Sequence, residues 1–80
     1  MELVKLTESI IKGLVSDPDS ISVKEFPSEK EDEITIQVMV SSDDMGKVIG
    51  KNGNIAKAIR TIIKAQAAKE GKKVSVEFID

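Results

Sequence analysis

Gly50-Lys51-Asn52-Gly53 is the stretch of this sequence best equipped to hold a ligand. Two glycines three apart free the backbone from the usual steric limits. Between them stand a cation, Lys51, and an amide, Asn52, that can donate or accept a hydrogen bond. The first amides of a helix that begins just after Gly53 have no partner inside the helix, and its dipole favours a negative group there. The chemistry on offer is anion binding, and a phosphate of an extended nucleic-acid backbone suits it. Ile49 and Ile55 flank the turn as an apolar wall for bases. Lys47 and Asn54 adjoin it, and Lys57 and Arg60 follow at helical spacing, where they can reach phosphates.

Other chemistry is poorly supplied. The chain has no His, Cys, Tyr or Trp, so no base stands beside a nucleophile and no soft metal ligand exists. The expectation is a non-enzyme with no cofactor, no metal and no small-molecule substrate. Walker A spacing fails, because Gly46 to Lys51 is one residue short of it, and the glycines at 46, 50 and 53 do not fit GxGxxG. Asp43-Asp44 reads as helix capping and not as a metal site.

Net charge is −2, which by itself argues against a polyanion partner. The distribution of that charge points the other way. Residues 1–44 carry four basic and eleven acidic side chains, a balance of −7, whereas residues 45–73 carry eight basic side chains and only Glu70, a balance of +7. Over about 8–10 Å a ligand feels the local charge and not the sum. Eighty residues make one domain, 1–80, whose aliphatic core holds only Phe26 and Phe78 as aromatics. With no basic leader and no window able to span a bilayer, the expectation is a soluble, cytoplasmic chain without membrane contact.

The elements that must position the turn follow from periodicity. Leu3, Leu6, Ile10, Ile11 and Leu14 predict an amphipathic helix over 2–16, stopped by Asp17-Pro18-Asp19. Residues 21–26 and 34–40 predict an antiparallel strand pair joined by the charged loop 27–33, with Ile34, Ile36, Val38 and Val40 on one face. Residues 41–44 start a short helix that runs to about Ile49. A longer helix spans about Asn54 to Lys69, with Ile55, Ile59, Ile62, Ile63 and Gln66 as its apolar stripe and Gly71 as its stop. Residues 74–80 form a third strand, parallel to the second if the two are neighbours. Adjacent Ile62 and Ile63 diverge by about 100° and cannot face the sheet equally, which leaves one as a candidate for a dimer surface. Lys57, Arg60 and Lys64 lie on one side, and Lys69, Lys72 and Lys73 read as solubilising surface.

With those residues in place, IGKNGNI at 49–55 resembles the IGxxGxxI signature of KH domains, whose GXXG loop clamps about four nucleotides of backbone. The α-β-β-α-α-β order resembles the bacterial type II arrangement over the whole chain. The resemblance implies an α+β fold, a three-stranded mixed sheet with three helices on one face. It implies single-stranded RNA binding through the loop and an RNA chaperone-like role linked to cell shape. The partners it implies are a second copy of the chain and a larger KH-containing protein. The acidic loop, the variable loop in this layout, would repel phosphate if it borders the groove. No aromatic platform offers base stacking. The competing readings are a KH-fold protein–protein adaptor with little RNA affinity and a helix–hairpin–helix DNA module. A glycine pair that merely punctuates two helices is the plainest alternative.

Overall fold

The computed structural model describes residues 2–30 and 32–79. Helix α1 spans Leu3–Lys12, strand β1 Ser22–Pro27, strand β2 Glu33–Met39, helix α2 Met45–Ile49, helix α3 Asn54–Lys69 and strand β3 Lys73–Ile79. The sheet order is β1-β2-β3, antiparallel between β1 and β2 and parallel between β2 and β3. This is the expected α-β-β-α-α-β order with a mixed sheet. The charged loop between β1 and β2 is shorter than the sequence pattern suggested, because Pro27 and Glu33 pair within the strands; Glu31 lies outside the described residues.

Register divides the sheet into two chemical faces. Residues paired across strands share a face. Val23, Val38 and Phe78 form one row toward the helices, and Ile34 with Val74 forms another. Between them Ile36 and Val76 are buried. The opposite face pairs Lys24 with Gln37 and Gln37 with Glu77. Against the apolar face pack Leu3 and Ile11 of α1, Val48 of α2, and Ile59, Ile63 and Ala67 of α3. Burying each isoleucine of this core is worth roughly 2 kcal/mol, so a few such residues supply most of a small domain's stability.

Three local readings need correction. Helix α1 ends at Lys12 and does not reach residue 16. Gly13 is a poor helix former, and the amides of Ser16 and Asp17 are drawn instead to the carboxylate of Asp44, at 3.0 and 2.9 Å. Neither Asp43 nor Asp44 caps its own helix through its side chain. Asp44 acts at long range because it is buried where the α1–β1 connection passes the start of α2. Finally, the buried stripe of α3 is Ala56, Ile59, Ile63 and Ala67; Ile55 and Ile62 are exposed. The sheet admits one row of side chains from α3, and the alanines let that helix approach closely. The end of α3 matches expectation: Gly71 N–H donates to Ala68 O and Lys72 N–H to Ala67 O, which closes the last turn.

Candidate nucleic-acid interface

The turn between α2 and α3 is built by three residues of positive φ. Gly50 has φ 76° and ψ 175°, Asn52 φ 57° and ψ 23°, and Gly53 φ 74° and ψ 13°. Gly50 N–H closes α2 by donating to Gly46 O at 2.9 Å, and Gly53 N–H donates back to Gly50 O at 3.2 Å. The amides of Lys51 and Asn52 are the first of the short 3-10 turn that leads into α3, the positions whose N–H groups lack a helical acceptor. Lys51 and Asn52 are exposed at its crest.

Gly50 and Ile55 fit together. A Cβ at Gly50 would lie 2.5 Å from Ile55 Cγ1 and 2.8 Å from Ile55 Cβ. Ile55 therefore braces the turn from inside while part of its side chain stays exposed beside it. Half-buried Ile49 packs against the core on the other side. Both isoleucines flank the turn, and Ile55 braces it.

The basic residues have separate fates. Lys51 and Lys57 are exposed. Lys47, expected beside the site, is turned back: its Nζ lies 3.2 Å from Asp44 Oδ1 and donates to Ser16 Oγ. Ser41 Oγ also donates to Asp44, at 3.0 Å. The Ser16 amide foremost, with the Asp17 amide, Lys47 and Ser41, holds the Asp44 carboxyl well below the usual carboxylate range even though burial opposes this. Lys47 thus belongs to a clasp that ties the α1–β1 connection to α2 and so supports the turn. Nothing in the spacing reveals this clasp, since its partners lie 27 and 28 residues apart.

Arg60 is also anchored. Its Nε donates to Val76 O at 3.1 Å, and its guanidinium carbon lies 5.2 Å from the centre of the Phe78 ring. These contacts seat α3 along β3, an edge strand of the sheet. One nitrogen is occupied, and the others keep their donors. Ile55, the glycine turn and Arg60 thus occur together at the N-terminal half of α3. The acidic loop does not border them. Lys73 N–H donates to Asp32 O at 2.8 Å, which fixes that loop at the C-terminal end of α3. Sixteen residues of helix, about 24 Å, separate it from the turn. Among the described residues no group of three potential metal-ligating His, Cys, Asp or Glu side chains occurs, and no helix is long and apolar enough to cross a membrane.

Residues 4–78 match the family model described as KhpA/KhpB, KH domain. The chain is 53% identical over 75 residues to a Clostridium acetobutylicum protein named RNA-binding protein KhpA, covering 94% of this chain and 97% of that one. Relatives of the same name from Listeria monocytogenes and Borreliella burgdorferi are 43% and 39% identical over 95% and 96% of the chain, and 97% and 92% of their own lengths. Among solved structures, Era from Aquifex aeolicus bound to GDP and AlF4− is similar in fold, with a TM-score of 0.69 at 21% identity over 95% of this chain and 29% of that one. A second Era structure, in complex with MgGDPNP and a segment of 16S ribosomal RNA, gives a TM-score of 0.67 at 21% identity, over 95% of this chain and 28% of that one.

Proposed function

The chain belongs to the KhpA/KhpB KH-domain family, and from that premise we propose that it binds single-stranded RNA without catalysis, gripping the backbone at Gly50–Gly53. The observation that carries this reading is the turn itself. An exposed Lys51-Asn52 crest, framed by two glycines of positive φ, stands at the start of α3 in the basic half of the chain. Its amides and the dipole of α3 favour one phosphate, and Lys51 adds charge. Bases leaving that phosphate meet Ile49, Ile55 and the edge of β3. Asn54, at the first position of α3, and Lys57 flank the strand, and Arg60 offers its remaining guanidinium donors. Lys47 acts by support and not by contact. The relatives named as RNA-binding proteins support this assignment for the chain as a whole. A chaperone-like regulatory role, a cytoplasmic site of action and a link to cell shape extend the same reading.

The double substitution K51D/N52D is expected to abolish binding of a short unstructured oligoribonucleotide in a fluorescence anisotropy titration while the circular dichroism spectrum and Tm stay close to those of the wild type. Wild-type affinity should fall with salt at a slope of about −2 if roughly three phosphates are neutralised. Retained binding with flat salt dependence would refute the clamp and favour the protein–protein adaptor.

Homodimerisation belongs to the same proposal, with a larger KH-containing protein of the KhpB type as a second partner. Ile62 is 48% exposed, the most exposed large hydrophobic residue among those described, and with Leu6 and Ala65 it lines a shallow apolar groove between α1 and α3. The groove lies on the other side of α3 from Lys57 and Lys64, so a second copy can cover it without blocking the RNA path. In sedimentation equilibrium, I62E is expected to shift the protein to monomer with tetranucleotide affinity per chain unchanged. A variant as dimeric as the wild type would remove this surface from the proposal.

A further inference from the structure

Lys69, Lys72 and Lys73 look equivalent in the sequence, but the fold separates them. Lys69 lines the apolar groove beside Leu6, whereas Lys72 and Lys73 turn the other way. They join Lys64 around a cleft of about 440 Å3 at the end of α3 opposite the glycine turn. Its lining also includes Ser28, Val74 and Glu33, the last paired across strands with Lys73. The cleft therefore offers three cations with a carboxylate and a hydroxyl among them. A nucleotide offers both matching chemistries, since its phosphate suits lysines and the N–H groups of its base suit a carboxylate. An inorganic anion would use only the lysines.

The cleft is also continuous with the interface already described. Lys57, Arg60 and Lys64 recur every three to four residues on one side of α3, the spacing of side chains on a common helix face. Arg60's bond to Val76 O and its contact with Phe78 fix that face along β3. From Asn54 to Ala68 the helix advances about 21 Å. At about 3.4 Å per stacked nucleotide this is about six nucleotides, and fewer if the strand is extended.

We infer that this cleft is a second RNA subsite: a strand gripped at Gly50–Gly53 runs along the β3 side of α3 and places a phosphate on Lys64, Lys72 and Lys73 with base N–H groups on Glu33. The inference rests on the RNA-binding reading and extends it from about four nucleotides to a footprint of about eight to ten. It also gives the two ends of the acidic loop a role, since Ser28 and Glu33 meet bases and not phosphates.

The test uses labelled unstructured tetra- and decaribonucleotides, titrated by anisotropy at several salt concentrations. A decamer offers a four-nucleotide clamp about seven registers, hence about sevenfold tighter binding without any second subsite. The wild type is expected to exceed that factor about tenfold. K64A/K72A/K73A should erase the excess, make the decamer salt slope about 0.7 units shallower and leave the tetramer unchanged. K5A/K12A/K24A, which removes equal charge elsewhere, should keep the excess. The inference is overturned if the decamer shows only the statistical gain, if the cleft variant binds it like the wild type, or if both triple variants lose equally. K51D/N52D separates the two claims. If it leaves tetramer binding intact, the clamp fails, while a decamer loss confined to K64A/K72A/K73A still upholds the cleft.

Discussion

Gly50 and Gly53 are the two ends of one four-residue motif, yet they are glycines for different reasons. At Gly50 the backbone lies at φ 76° and ψ 175°, a region that only glycine occupies readily, and the missing side chain makes room for Ile55. At Gly53 the backbone is left-handed helical at φ 74° and ψ 13°, and a Cβ would meet nothing within 4 Å. Its neighbour Asn52 already holds a similar conformation without being glycine. One end of the motif is locked by packing and the other is held by backbone preference alone. The motif therefore contains one architectural glycine and one with open space beside it.

The largest effect should follow from G50A. Backbone strain and overlap with Ile55 together cost about 3 kcal/mol or more, a large share of the stability of a domain this small. If overlap is a substantial part of that cost, G50A/I55A will recover stability relative to the sum of the two single substitutions in urea unfolding. Strict additivity would leave backbone strain as the only cause and break the comparison. G53A should cost less, about 1–2 kcal/mol, because only the positive φ is penalised. G53N should fall lower still, since asparagine tolerates that conformation. If G53N destabilised as much as G50A, the two glycines would not differ as described.

A smaller and pH-dependent effect is expected at the support behind the turn. Asp44 has a depressed folded-state pKa, foremost because the Ser16 amide donates to it. Its contribution to stability is therefore complete above the ordinary aspartate value of about 4 and is lost as pH falls below it. D44N should lower Tm by several degrees at neutral pH and flatten the acid limb of the Tm–pH curve. An unchanged acid limb would mean that the clasp does not hold α2. Because the clasp acts on α2, it should shift the Gly50 end of the turn more than the Gly53 end, which amide exchange at Gly50 and Gly53 would reveal.

Element type and order were legible because each rests on local periodicity. The alternation of Ile34, Ile36 and Val38 marks a half-buried strand, and the glycine pair with flanking isoleucines marks the turn and its chemistry. Boundaries were less legible. Nothing near residue 13 announces that a carboxylate at position 44 will claim the amides of Ser16 and Asp17. The apolar stripe of α3 was misread for a related reason. Isoleucines draw attention, but Ala56 and Ala67 occupy the buried row because the helix must come close to the sheet. Among the residues proposed for the site, Lys51 and Asn52 are exposed, whereas Lys47 and Arg60 are partly spent on Asp44, Ser16, Val76 and Phe78.

What the amino-acid sequence determined alone was the set of elements, the glycine turn and the split of charge between two halves of the chain, because each depends on neighbours within a few residues. Only the tertiary structure decided which cations remain available, which glycine is irreplaceable and where the acidic loop lies. Those outcomes depend on contacts between residues up to 41 positions apart, and hydrogen bonds and steric overlap over such separations leave no periodic trace in the chain.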